Sequence, residues 1–235
     1  MTFSRVTRAL FVITLCFAFL ASAYASDFGK PEELVAKSTT VYRSFIADPH
    51  MTWFHHNVKN AKGIFIVPQM LRGGFILGGS GGSGVLLAQD STTGKWSYPA
   101  FYTMGSVSLG FQIGAETSEI VLMIMTDRGL KAMLSTEFKL GADVTVAAGP
   151  IGGTAKAQTV DILAFGRSKG AFGGVSIEGA VIEPRIDWNQ QYYKKTGNPA
   201  DILIYQNVSN PDADPLLKTL PQQRFHAPAV QTLGS

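Results

Sequence analysis

The sequence changes period at Gly63, and that change sets what the chain can fold into. Before it, Leu34, Val35, Ser38, Val41, Tyr42, Phe45 and Ile46 recur every three to four positions, which places them on one side of a helix. Pro31 suits a first helical turn, and Glu32 and Glu33 complement the helix dipole there, so the spacing predicts an amphipathic helix over 31–47. Asp48-Pro49 stops it and caps a second helix over 50–62, with Trp53, Phe54, Val58 and Ala61 on one side and Gly63 as its stop.

After Gly63 the repeat is two. The run 106–114 alternates small or polar residues with Val107, Leu109, Phe111 and Ile113, the pattern of a strand with one buried face. Val144 and Val146 flank Thr145 in the same way, and Val175, Ile177 and Val181 continue it with Ser176 and Glu178 outward. Ile64 to Val67 and Ile120 to Met125 are unbroken apolar runs, which predict strands buried on both faces. Short helices are expected at 127–134, capped by Thr126 or Asp127, and at 187–193 and 199–205. With 46% apolar and 16% charged residues the chain has material for a full core. The fold class expected is α+β: a mainly antiparallel, barrel-like β core with N-terminal amphipathic helices and a few short helices.

Four segments follow. Residues 1–25 carry Arg5 and Arg8, the apolar run Ala9 to Leu20 and then Ala23-Tyr24-Ala25, which reads as a secretory signal cut before Ser26. The apolar run is about a dozen residues, short of the roughly 20 that span a bilayer; an uncleaved anchor is the alternative. Cys16, the single cysteine, lies in this run behind Leu15, where lipidation would want a small residue, so the exported chain is expected to have no disulfide. Residues 26–62 form the helical segment, 63–205 the β-rich core, and 206–235, punctuated by Pro211, Pro215, Pro221 and Pro228, a flexible tail. The expected location is the periplasm or the medium, peripheral to a membrane.

The chemistry-bearing motifs divide unevenly. Gly78-Gly79-Ser80-Gly81-Gly82 has the letters of a nucleophile elbow, but a strand signal follows it and the only downstream histidine is His226; a glycine-rich connection between strands is the simpler reading. Gly79, Gly81 and Gly84 match a dinucleotide fingerprint but open a strand where that fingerprint opens a helix. His50, His55 and His56 have offsets that do not share a helix face, so no metal or cofactor is expected. Asp161, Glu178 and Glu183 read as outward-facing charges, and no catalytic residue is assigned. Loss of Arg5 and Arg8 would leave a net charge of about +1, which gives no support for nucleic acid.

The cations are more informative. Lys59 and Lys62 end the second helix, Arg72 falls in the next loop, and Arg167 and Lys169 lie in the turn bounded by Gly166 and Gly170. Turn cations near exposed backbone N–H groups suit a phosphate or lipid headgroup.

The runs 61–68 (AKGIFIVP), 74–79 (GFILGG), 96–101 (WSYPAF), 108–114 (SLGFQIG), 147–150 (AAGP) and 168–175 (SKGAFGGV) occur in the order of the SYLF domain, which this chain resembles over about 32–205. The resemblance implies a non-enzymatic module that binds phosphoinositides and other anionic lipids, partly through an amphipathic N-terminal segment, and in some eukaryotic members binds actin filaments. The signal-like start resembles exported bacterial members, for which actin is not expected and an envelope phospholipid or envelope protein is the partner. Where the family has SKGLF, this chain has Ala171, a smaller apolar residue. Three other readings stay open: a periplasmic structural or protein-interaction module, a small outer-membrane β-barrel, and an exported serine hydrolase using Ser80.

Overall fold

A computed structural model of the chain describes residues 30–74, 77–109, 114–149, 160–168, 171–173, 177, 179–195 and 197–221. The signal-like start, Lys169, Val175, Ser176, Glu178 and His226 lie outside the described residues.

The first helix, α1 (Pro31–Ala47), has the bounds its period predicts and buries Leu34, Val35, Val41, Tyr42 and Phe45. Ile46 falls on its outer side and is part exposed. The second, α2 (Thr52–Asn57), is shorter than the 50–62 expected and runs into a 3-10 turn at Val58–Asn60. Asp48 does not cap it; its Oδ1 accepts the His50 N–H in a local turn, and α2 starts at Met51 without a side-chain cap. Gly63 is no helix stop but the first residue of β1 (Gly63–Gly74), where an added Cβ would lie 3.1 Å from the Leu87 carbonyl oxygen.

The strands β2 (Leu77–Ala88), β3 (Ala100–Leu109) and β4 (Gly114–Ile124) follow, and then α3 (Asp127–Met133), whose cap is the Thr126 hydroxyl accepting the Gly129 N–H. Short strands β5 (Phe138–Lys139) and β6 (Val146–Ala148), the longer β7 (Ile162–Ser168), then β8 (Ala171–Gly173) and β9 (Val181–Pro184) complete one sheet. Its order is β5-β9-β3-β2-β1-β4-β7-β6 with β8 also on β7, antiparallel except for β6 on β7. The chain is thus α+β with a curled, mainly antiparallel sheet, the fold class its periods imply.

Register assigns each face. Ile64, Ile66, Val85, Phe101, Val121 and Phe165 share the face that the helices cover: Phe165 meets Phe54 of α2 edge-on at 5.0 Å, and Phe101 meets Trp188 and Tyr192 of α4 (Ile186–Tyr193). Phe65, Leu86, Tyr102, Leu122 and Ile124 share the opposite face, where the Tyr102 hydroxyl donates to the Met133 carbonyl of α3. Both apolar runs are therefore buried on both faces, as expected: Ile64 to Val67 and Ile120 to Ile124 are all fully buried.

Three expectations are corrected. The run 106–114 is not one strand, because β3 ends at Leu109 and Gly114 opens β4; Val107 is 80% exposed where a buried position is expected, and Phe111 and Ile113 lie outside the described residues. Val181 does not continue a strand from Ile177: β9 begins there afresh, after Gly179 at φ +78°. The segment read as a flexible tail is part of the core as far as Pro221. Beyond α5 (Pro199–Leu203) come a 3-10 turn (Pro211–Ala213) and α6 (Asp214–Leu217), and Val208, Ala213, Leu216 and Leu220 are buried. Pro211 and Pro215 stand at first-turn positions of helices, where proline is favourable. The Trp96 Nε1–H donates to the Pro221 carbonyl at 2.8 Å, fastening the segment to the sheet's flank.

Candidate functional site

Of the five cations picked from the sequence, the four described, Lys59, Lys62, Arg72 and Arg167, do not share one site. Lys59 is exposed on the 3-10 turn, and Lys62 lies just ahead of β1, its Nζ 3.5 Å from Asp127 Oδ1. Arg72 is not in a loop but on β1, opposite Ser80 of β2 and Glu116 of β4. At about 3.3 Å per strand residue it sits roughly 30 Å along the sheet from Lys62. Arg167 is not a turn cation either: β7 runs on to Ser168, and Arg167 faces Glu119 of β4. Its guanidinium donates to Glu119, with Nε to Oε2 at 2.9 Å, and to the Ser44 hydroxyl at 2.7 Å, and it lies over the Phe45 ring at 5.4 Å. Arg167 thus ties the end of α1 to the sheet.

Glycine dominates the far half of β2. Gly78, Gly79, Ser80, Gly81 and Gly82 lie inside β2 instead of connecting two strands, held in register by β1 on one side and β3 on the other. The Ser80 hydroxyl lies 2.7 Å from that of Ser106, its cross-strand neighbour, and Ser80 sits within a strand, so the elbow reading does not find its turn. On this polar face Ser106, Ser80, Arg72 and Glu116 form one row across four strands, and the Ser168 hydroxyl donates to Glu116. Gly82 and Gly84 are required by close packing: a Cβ at Gly84 would come within 2.6 Å of Phe65 Cε2 and of the Ile66 carbonyl oxygen. Gly81, on the other face, would meet nothing within 4 Å.

Asp161 is the main electrostatic centre the sequence reading missed. It was read as outward, but it is buried at the start of β7. Its carboxylate accepts from the Thr126 hydroxyl at 2.6 Å, from Arg128, and from the Thr145 N–H and hydroxyl at 2.9 and 2.7 Å. Burial pushes its pKa up, but these hydrogen bonds together outweigh burial and hold the carboxyl well below the usual carboxylate range. Both carboxylate oxygens are engaged from within the fold, so Asp161 is a structural anchor joining α3, the residue ahead of β6 and the start of β7. Glu183 is exposed on β9 opposite Thr103, apart from Asp161. The histidines do not gather: His55 Nε2 lies 3.1 Å from the Phe45 carbonyl oxygen, and among the described residues no three His, Cys, Asp or Glu side chains form a metal-binding group. No helix among them is long and apolar enough to cross a membrane.

Residues 105–223 match the sequence model of the family described as "Ysc84: Las17-binding protein actin regulator". The chain belongs to the Ysc84 family. It is 32% identical to Protein YSC84 of Saccharomyces cerevisiae over 206 residues, covering 81% of this chain and 43% of that protein. Identity to LAS seventeen-binding protein 3 of the same yeast is 33% over 179 residues, covering 72% and 38%. Identity to the human SH3 domain-containing YSC84-like protein 1 is 31% over 171 residues, covering 70% and 49%. The SYLF-type resemblance is therefore borne out, and this chain spans less than half the length of these Ysc84 relatives. The Ysc84 match runs through the helical segment 206–221, in agreement with its burial against the core.

Proposed function

We propose that the chain is a non-enzymatic Ysc84-family module that binds anionic phospholipid at a membrane surface, with Lys59 and Lys62 as the contact residues. What carries this reading is the exposure of two neighbouring lysines. Lys59 is exposed on the 3-10 turn and Lys62 pairs with an Asp127 side chain that is itself 85% exposed, whereas the Arg167 side chain is 18% exposed against Glu119, Ser44 and Phe45. Exposed pairs of this kind contribute little, so a phosphate displaces such a carboxylate readily. Each cation near an anionic surface adds about 1 kcal/mol. Export and a site peripheral to an envelope membrane belong to the same proposal and rest on the signal-like start; N-terminal sequencing of the protein recovered outside the cytosol should begin at Ser26.

The test is flotation of the purified protein with phosphatidylcholine vesicles of graded phosphatidylserine content, at about 50 and 300 mM salt. Anionic vesicles alone should carry the protein, more at low salt, and Lys59→Ala with Lys62→Ala should weaken binding about tenfold. Equal flotation with neutral vesicles, or none with either, sinks the lipid reading.

A protein partner is the second reading, favoured by the family description, which names an actin regulator that binds Las17. Co-pelleting with actin filaments in the absence of lipid would put it ahead of the first.

A further inference from the structure

The helix α4, the 3-10 turn at Pro211–Ala213 and α6 all pack against α1. Between them they supply Glu32 from the first turn of α1, Tyr192 from the end of α4, and Asp212 and Asp214. Asn210 fixes the corner: its Nδ2–H donates to the Tyr192 carbonyl at 3.1 Å, while its Oδ1 accepts the Asp212 N–H at 3.0 Å. Tyr98, half-buried just ahead of β3, donates its hydroxyl to Asp214 Oδ1 at 3.4 Å.

The Tyr192 hydroxyl is out of keeping with the rest of the core. The residue is 3% exposed, and among the described residues its hydroxyl has no hydrogen-bond partner. Buried hydroxyls are ordinarily paired, because an unpaired one has given up its water for nothing. Burial pushes the Tyr192 pKa up, and Asp212, Glu32, Tyr98 and Asp214 push it further, so the hydroxyl lies in the field of three carboxylates. Tyr42, the other unpaired tyrosine, is raised by burial alone.

The carboxylates are short of a cation as well. Among the described residues none of the three has an ion pair, although Lys30 and Lys218 are exposed close by in the chain. The Tyr98 hydroxyl is a neutral donor at long range, and a charged donor competes well against it.

These two deficits select the ligand. No three His, Cys, Asp or Glu side chains among the described residues form a metal-binding group, so a bare metal ion does not fit. A quaternary ammonium balances charge but has no N–H for the hydroxyl. A zwitterionic headgroup brings a phosphate, which the same carboxylates repel. A lysine or arginine side chain supplies the charge and the N–H donors together, and a run of them matches three carboxylates.

We propose that this corner is a docking site for a basic segment of a partner protein, with a lysine or arginine held by Asp212, Asp214 and Glu32 over the Tyr192 hydroxyl. It stands apart from Lys59 and Lys62, which take the opposite charge, so either reading can fail without the other.

The full chain, titrated into a fluorescein-labelled hexalysine peptide at about 50 mM salt and followed by anisotropy, should bind it and should ignore the same peptide with every lysine acetylated. Tyr192→Phe keeps the ring and removes only the hydroxyl. It should weaken hexalysine binding about threefold while the melting temperature holds or rises, whereas a tyrosine with a purely structural role would leave binding unchanged. Asp212→Asn with Asp214→Asn should weaken binding about tenfold, and Glu137→Gln with Glu183→Gln, the same charge removed from exposed positions elsewhere, should not. A wild type that does not bind, equal weakening by the two double variants, or full binding by Tyr192→Phe overturns the proposal. Release of the peptide by phosphatidylethanolamine vesicles gives the site to a lipid headgroup and overturns it too.

Discussion

β1 and β4 run side by side through two environments. At one end Ile64 to Val67 and Ile120 to Ile124 are fully buried, with helices on one face and the sheet's own curl and α3 on the other. Further along, the same strands present Leu71, Arg72, Glu116 and Thr117 at half-buried or exposed positions, beside a β2 reduced to glycine and serine. The hydrogen-bonded ladder is common to both ends, so the difference isolates what side chains add. The buried end holds the fold together; the glycine-rich end is held up by it and is available for contact with something else.

The strongest way to break that comparison is to delete matched apolar groups. Leu122→Ala should cost about 2–5 kcal/mol in urea unfolding, and Leu71→Ala in the other half only about 1 kcal/mol. Equal losses would mean that the two ends share one core. Next is Gly84→Ala, which drives a Cβ into Phe65 and should cost about 2–3 kcal/mol.

Asp161→Asn should remove about 2 kcal/mol, because Arg128 and the Thr145 donors lose a charged acceptor. The pH dependence has a fixed sign. Folding depresses the Asp161 pKa, so the native state binds fewer protons and the contribution is complete above the unfolded value of about 4. It is lost as pH falls below that value toward the folded pKa. Acid unfolding of the wild type should therefore be steeper there than that of the Asn variant.

Arg167→Ala should cost about 1 kcal/mol through the lost Glu119, Ser44 and Phe45 contacts, with unchanged affinity for anionic vesicles. A clear loss of vesicle binding at full stability would return Arg167 to the contact surface. The smallest effect is Gly81→Ala, within about 0.5 kcal/mol of neutral in thermal melts, because the added methyl meets open space.

The buried end was legible in the sequence because apolar spacing and burial are the same information: α1 and both apolar runs fall where their periods place them. The glycine-rich end was not. Glycine has weak strand preference, and nothing within Gly78–Gly82 announces that β1 and β3 will hold it extended; that depends on partners distant in the chain. Arg167 resembled a turn residue because glycines bracket it, and its partner Glu119 lies on another strand with no local signal. Proline density made 206–221 resemble a tail, although prolines at helix starts are compatible with packing, and Leu216 and Leu220 were the visible clue. The family resemblance reached the fold by order of phrases alone, and it carried no information about which cations remain available.

The helix α6, with the turn before it, packs against α1, so the first helix is clamped by the last. On the ribosome α1 emerges early, and every residue from 48 to 217 must be added before its clamp exists, on the order of ten seconds or more at about 5–20 residues per second. Through that interval the side of α1 that α6 covers stays open. Newly made chain therefore presents a partly uncovered helix to whatever surrounds it, and a truncation that removes α6 makes that transient state permanent.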